Sequence, residues 1–413
     1  MRDLEFQAAD WTEITLGDVC TFRGGSGFKE SHQGQSHGDH PFIKVSDLNL
    51  KGNEKYVTTA QNWVSEDVLR ELRATLQPVG AVVFAKVGAA LKLNRRRILT
   101  RPTAIDNNMM AAIPDTGQLD GDFLYYFLLV QDLGKFSQES AVPSVNQGHL
   151  SAIEISLPPL LEQRKIAALL RTWDNALEKL NALRAAKLRR MDGVAQVLLD
   201  PSRAIGSDVS PSNWSLSNFG ELFEERQDRN SGSTVDDVVT VGKYAIRKQS
   251  EHFTRSVASK DLSNYWTISP GDFVYDPMSA YYGAIGRYLG NSDGIVSPAY
   301  RVIRLKNGHD PDFISALLKA HHIRFLLETR SSQGNKEGKR RLLQRDEFER
   351  IEFKLPTKEM QIEIANKLSV FQTDLDLADA EIKSLTDQKR GLMQKLLTGE
   401  WRVEVSDDEE AAA

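Results

Sequence analysis

Residues 153–170 read IEISLPPLLEQRKIAALL, and residues 351–368 read IEFKLPTKEMQIEIANKL. The second copy follows the first at a constant offset of 198 without a gap, and the match runs on for about 45 residues. Identical pairs include Leu157/Leu355, Pro158/Pro356, Gln163/Gln361, Ile166/Ile364, Leu170/Leu368, Gly193/Gly391 and Leu198/Leu396. A loop has no need to keep such a register, whereas a helix does. A repeat of this kind is the first feature to seek in a chain, because it decides the architecture before any local assignment.

The second copy carries a heptad seam: Ile364, Leu368, Phe371, Leu375, Ala378, Ile382, Leu385, Leu392 and Leu396, with Lys389 at one seam position. The first copy runs Ile166, Leu170, Trp173, Leu177 and Leu180, then Arg184 and Lys187, then Met191, Val194 and Leu198. Proline is tolerated at each entry because first-turn N–H groups have no intrahelical partner. Each helix then runs for about 34 residues, or about 50 Å. Net charge is 9 − 7 = +2 over residues 151–211 and 9 − 15 = −6 over 349–413, so the helices favour each other as partners.

The segments between the helices repeat as well. WTEITLGDVCTFR (11–23) and WSLSNFGELFEER (214–226) share the spacing Trp11, Gly17, Arg23 and Trp214, Gly220, Arg226. Strand-like runs follow in both, then a short apolar helix, GDFLYYFLLV (121–130) or PDFISALLKA (311–320). The expected fold class is therefore α+β. Two similar globular domains are separated by two long helices that form an antiparallel coiled-coil spacer with quasi-twofold symmetry. The expected boundaries are residues 1–150, 151–205, 206–348 and 349–403, with 404–413 an acidic disordered tail.

Composition excludes several classes. The 413 residues carry a net charge of −5, one cysteine (Cys20), no apolar run near the ~20 residues of a membrane span, and no signal-peptide pattern at MRDLEFQAADW. The expectation is a cytoplasmic protein without disulfides. Catalytic signatures are missing: there is no phosphate loop and no H-E-x-x-H. FRGGSGF (22–28) follows no strand-turn-helix pattern and reads as a loop; DPMSAYYG (276–283) lacks the cofactor motif that would accompany a methyltransferase site; His32, His37 and His40 read as a solvated loop. No metal, no cofactor and no catalysis are expected in this chain.

Binding features are stronger. KLNRRRILTR carries Lys92, Asn94, Arg95, Arg96 and Arg97, and NKEGKRRLLQR carries Lys336, Lys339, Arg340, Arg341 and Arg345. Such clusters neutralise phosphates, and arginine also reads guanine edges. SAVPSVNQGH adds Ser144, Asn146, Gln147 and His149 at the place before the first helix where the second basic cluster precedes the second helix. Tyr281 and Tyr282 are further DNA-binding candidates.

These residues, taken in order, resemble the specificity (S) subunits of type I restriction–modification enzymes. The resemblance rests on the L-P-P-L-x-E-Q-x-x-I entry at Leu157–Ile166, its second copy at Leu355–Ile364, the helix end LMQKLLTGEWRV (392–403) and the two-module layout, and it covers essentially the whole chain. It implies that each globular domain is a target recognition domain reading half of a bipartite site in double-stranded DNA. It also implies that the helices set the spacing and dock two methyltransferase (M) subunits, through Glu162, Gln163 and Gln361, and that restriction (R) subunits can join. S-adenosylmethionine would belong to the M subunits, and ATP with Mg to the R subunits. Met360 stands where Glu162 stands in the first copy, so unequal partner contacts are expected at the two ends. Half-sites one helical turn apart would leave a gap of about six to eight base pairs. The alternative is a non-DNA scaffold with two ligand-binding domains on a coiled-coil stalk; a fused restriction–modification enzyme lacks the motifs it needs.

Overall fold

A computed structural model describes residues 11–136, 143–200, 202, 213–243, 245–248, 261–333 and 341–404. The chain divides into two compact units. One comprises residues 1–180 and 381–413, the other residues 181–380. Two helices of 40 residues each, Leu160–Leu199 and Lys358–Leu397, contribute to both units. Each is six residues longer than the ~34 expected from the seam, because the proline entries start the helix a turn and a half before Ile166 and Ile364. The tail 405–413 lies outside the described residues.

In the first unit the strand Thr12–Thr15 pairs antiparallel with Glu154–Leu157, so the segment that opens the domain is closed by the segment that enters the helix. A five-stranded sheet follows the order Cys20–Gly24, Met109–Pro114, Val82–Ala85, Arg96–Leu99, Tyr56–Val57. Over one face lies the helix Gly121–Val130, capped by Asp120, whose carboxylate accepts from Phe123 N at 3.0 Å. Its apolar run is buried on nearly every side: Phe123, Leu124, Tyr126 and Leu128 share a core with Phe22, Phe84, Leu150 and the long-helix residues Ile166, Ala167 and Leu170. That explains why FLYYFLLV reads as continuous rather than amphipathic.

The second unit repeats the plan. Trp214–Asn218 pairs with Glu352–Pro356, and the sheet runs Phe223–Arg226, Arg301–Leu305, Phe273–Tyr275, Ile285–Arg287. Asp310 caps Pro311–Leu317 through Phe313 N at 2.7 Å. The repeated Trp-x5-Gly spacing has a steric cause. A Cβ on Gly17 would stand 2.9 Å from Ser151 Cβ, and one on Gly220 would stand 3.2 Å from Glu349 Cβ. In both units glycine lets the first short helix press against the one before the junction.

The long helices run antiparallel within each unit. In the first, Ile166 and Leu170 share a core with Met393 and Leu396, and Lys389 binds Asp174, which also accepts from Tyr126 Oη. In the second, Arg184 Nη2 donates to Asp379 at 3.0 Å and Lys187 reaches Asp374 at 2.6 Å, while Leu198 packs into the core that holds Ile364 and Leu368. Thus the polar seam positions Arg184, Lys187 and Lys389 are all paired with carboxylates on the opposite helix. Arg184 and Asp379 are substantially exposed, so their pair adds little stability. Such pairs instead penalise any other register or partner.

At each domain–helix junction a fully buried glutamine spans the gap. Gln163 Oε1 accepts from Asp120 N at 2.8 Å, and its Nε2 donates to Pro158 O at 2.8 Å and Gln118 O at 2.9 Å. Gln361 does the same 198 residues on: Oε1 accepts from Asp310 N at 2.9 Å and Nε2 donates to Pro356 O at 2.9 Å. Each glutamine ties the cap of the apolar helix to the proline that launches the spacer. Glu162 is buried too. It accepts from Trp11 Nε1 at 3.1 Å and from Arg402 Nε and Nη2 at 2.9 and 3.0 Å.

These geometries correct the expectation that Glu162, Gln163 and Gln361 face a partner protein. Their polar atoms are spent inside the unit, and that is what the repeated motif preserves. The Met360 difference has a local consequence as well. Met360 packs against the second core, and Trp214 Nε1 is buried without a hydrogen-bond partner among the described residues. Replacing Gln361 with Ala strands the Asp310 N–H and the Pro356 carbonyl, each at about 1–3 kcal/mol. Amide exchange at Asp310 should accelerate and the second unit should melt earlier; unchanged exchange would contradict the junction role.

Candidate nucleic-acid interface

In the first unit three loops converge at one end of the sheet. The backbone of Val145 donates to Lys86 O at 3.0 Å, Gly88 N donates to Pro143 O at 2.8 Å, and Gln147 Nε2 donates to Phe22 O at 2.9 Å. The result is an open depression lined by Gly24, Lys86, Met110, Asn146, Gln147 and Gly148. Asn146 caps a short helix by accepting from His149 N at 2.9 Å, which leaves its exposed amide at the rim. Ser144 bridges to Val87, and His149 is half-buried. The glycine-rich FRGGSGF is pinned rather than open. Gly25 N donates to Met109 O at 3.2 Å and Ser26 N to Ile105 O at 2.9 Å, so those amides are not available to a phosphate.

The basic run divides. Lys92 is exposed and Arg95 half-buried. Arg96 is fully buried: its guanidinium lies 4.9 Å from the Phe84 ring centroid and donates to Asn94 Oδ1 and, at 3.3 Å, to Arg95 O. Burial pushes it down to about 10, so it remains charged at neutral pH. Asn94 sits at φ 52° with its Nδ2 donating to Leu129 O at 2.6 Å. Arg97 donates to Leu48 O at 2.8 Å and Arg96 O at 2.7 Å. The expectation that Arg96 contacts DNA is therefore corrected; Asn94 and Arg97 are half-buried, with donors engaged inside the unit. On the strand Arg96–Leu99 they brace the loop from within, and the surface cations are Lys92, Arg95 and the exposed Arg101, whose guanidinium stands 5.6 Å from the Trp63 ring.

The second unit builds the same place from different side chains. Leu343 N donates to Pro277 O at 2.9 Å, the counterpart of Val145 and Lys86. Arg345 occupies the position of Gln147 at the offset of 198 and binds Glu225 at 2.6 Å and Glu349 at 2.7 Å. Glu225 also holds Arg301 at 3.0 Å. Arg341 lies 5.4 Å from the Tyr281 ring centroid and pairs with Glu328 at 3.0 Å. Tyr281 and Tyr282 form an edge-to-face pair at 5.4 Å. Lys336, Lys339 and Arg340 lie outside the described residues. His32 pairs with Glu71 at 3.2 Å, and among the described residues no three His, Cys, Asp or Glu side chains converge as metal ligands.

Sequence reasoning missed Lys86 and the exposed Arg23. A usable signal existed for Lys86. It follows directly on the apolar run AVVFA, and polar residues at the end of a central strand are where a sheet presents its loops.

Comparison with known proteins adds a sequence and a fold similarity to this geometry. Residues 8–187 match the family model described as the type I restriction modification DNA specificity domain. The first part of the chain is thus similar to the type I restriction–modification specificity family. The type I restriction enzyme MjaIX specificity subunit of Methanocaldococcus jannaschii is 22% identical over 173 residues, covering 41% of this chain and 39% of that protein, so the match spans well under half of the relative. A crystal structure of a type I system S subunit from M. genitalium shares the fold at TM-score 0.51 and 14% identity, covering 98% of this chain and 99% of that one. A chain from a structural study of complex assembly and conformational transition of the type I system aligns at TM-score 0.57, also at 14% identity, over 95% of this chain and 99% of that one. The fold of these two solved structures thus extends through both halves of this chain, while the family model matches only residues 8–187.

Charge reversal separates the bracing from the surface cations. Arg96→Glu buries an unpaired carboxylate beside Phe84 and should cost about 3–5 kcal/mol, read as loss of the first unit's unfolding transition. Arg95→Glu should leave that transition in place and weaken DNA binding in a mobility-shift assay. Equal destabilisation by both would contradict the division.

Proposed function

We propose that this chain is the sequence-specificity subunit of a type I restriction–modification complex, each module reading one half of a bipartite site in double-stranded DNA. The observation that carries this reading is the repeat itself, seen at the level of side chains. Two modules share one backbone plan and one junction lock, yet differ where loops meet the sheet end: Lys86, Asn146 and Gln147 in one, Pro277, Gln344 and Arg345 in the other. A shared frame with divergent polar loops is what two readers of unlike sequences require.

In this reading the chain catalyses nothing. Two methyltransferase subunits bring S-adenosylmethionine and modify adenine; restriction subunits, where they join, bring ATP and Mg. The paired helices act as the ruler between half-sites, and the exposed face of each helix is left for partner docking, since the junction residues are consumed internally. The cytoplasm, where DNA and these partners meet, is the compartment the reading requires. No helix among the described residues is long and apolar enough to cross a membrane.

The scaffold alternative predicts no salt-dependent DNA binding. A mobility-shift titration of the chain with its methyltransferase at several salt concentrations should show affinity falling linearly in log–log form, with a slope that shrinks when Lys92 and Arg95 are neutralised. A flat salt response would contradict DNA reading. Matched heptads inserted between residues 180 and 181 and between 380 and 381 keep the ion-pair register and add about 10 Å, about three base pairs. The gap in the methylated site should widen by that amount; an unchanged gap would remove the ruler.

A further inference from the structure

Both modules carry one more equivalent detail, on the loop that joins the same two neighbouring strands of the main sheet. In the first unit this loop runs from Val82–Ala85 to Arg96–Leu99 and contains the turn Ala89–Lys92. In the second it runs from Phe273–Tyr275 to Ile285–Arg287 and contains the turn Ala280–Tyr282. Each turn ends on a left-handed residue, Asn94 at φ 52° or Gly283 at φ 105°. The residue immediately before it is large, apolar or aromatic, and exposed: Leu93 at 56% and Tyr282 at 45%.

Neither side chain sits on a slack loop. Asn94 is fastened to Leu129 O and to the buried Arg96, and Leu93 N donates to Ala90 O at 3.3 Å. In the second unit Asp276 Oδ1 accepts from Met278 N at 3.0 Å, Asp276 O accepts from Ala280 N at 2.7 Å, and Ala284 N closes the turn on Ser279 O at 3.2 Å. A single exposed leucine is ordinary on any surface. An exposed large side chain at the same fold position in both modules, each on a turn held by backbone hydrogen bonds, points to a shared role. Lys92 and Arg95 flank Leu93, and Arg341 lies over the ring of Tyr281, the neighbour of Tyr282.

We propose that Leu93 and Tyr282 are equivalent wedges, each pressed between bases of its own DNA half-site while the adjacent cations hold the phosphates. This rests on the DNA-reading function above and adds the contact by which each module unstacks its site. Apolar side chains inserted at a base step open the stack, and flanking Arg or Lys neutralises the backbone strained around it. Aromatic stacking of Tyr282 serves the same end without demanding one particular base.

The test uses the full chain in complex with its methyltransferase and a duplex carrying the motif methylated in cells that express both. 2-Aminopurine is placed at successive positions of each half-site other than the methylated adenine. The wild-type complex should raise fluorescence at one step in each half-site. Tyr282→Ala should abolish the rise in one half-site only and lower affinity about tenfold with an unchanged salt slope. Leu93→Ala should do the same, more weakly, in the other half-site. If both variants bind with wild-type affinity and an unchanged fluorescence pattern, the wedges are overturned while DNA reading stands. If either variant instead loses its methyltransferase on gel filtration, the exposed side chain belongs to a protein contact and the wedge is overturned. If the wild-type complex shows no salt-dependent binding, both readings fail.

Discussion

Each recognition domain meets its spacer helix at a buried carboxamide, and the geometry of each unit follows from it. Gln163 and Gln361 are buried and have a carboxamide acceptor and two donor hydrogens to satisfy. They place them on the cap of the apolar helix and on the proline carbonyl that precedes the long helix. An ionised carboxylate could not donate to the carbonyl, and a lysine could not accept from the cap amide. A carboxamide offers a donor and an acceptor side by side on one planar group, which suits the two backbone partners here. The domain therefore cannot turn on its helix without stranding two buried backbone groups, so the orientation of each domain is fixed to the register of its helix.

The helices add the second constraint. Their seam is apolar near the junctions and ionic toward the middle of the chain's repeat, where Arg184, Lys187 and Lys389 each meet an aspartate. The exposed Arg184–Asp379 pair contributes little free energy. The value of these pairs is discriminatory, since a slip of one heptad separates each of these cations from its aspartate. Asp174 binds both Lys389 and Tyr126 of the recognition domain, so helix pairing and domain docking in the first unit share one carboxylate. The two units are alike in plan and unlike in fastening. Trp11 has Glu162 and Arg402 beneath and above it, while Trp214 has Met360 and an unpartnered indole N–H among the described residues.

Much of this was legible in the sequence because helical period and a constant offset are sensitive to little except backbone geometry. The two-module plan, the paired helices and the loop positions all came from spacing. Side-chain roles were less legible. A run of Lys and Arg says nothing of which residue points inward. In NRRR the buried start of the strand Arg96–Leu99 sets Arg96 against the Phe84 ring, while Arg95 before it stays half-buried. Likewise, a motif repeated at a helix entry reads equally well as a docking site or an internal lock. Only the positions of the Asp120 and Asp310 amides, more than 40 residues away in sequence, decide for the lock. Lys86 and Leu93 went unread because each is a single residue whose meaning comes from the loop opposite.

The account stands or falls on there being two readers at a fixed separation. Single-molecule sequencing of methylated DNA from cells carrying this chain and its methyltransferase measures that directly. The predicted result is adenine methylation in a motif of two unlike half-sites divided by a gap of constant length and no sequence preference. A continuous motif, or half-sites at variable spacing, would contradict it.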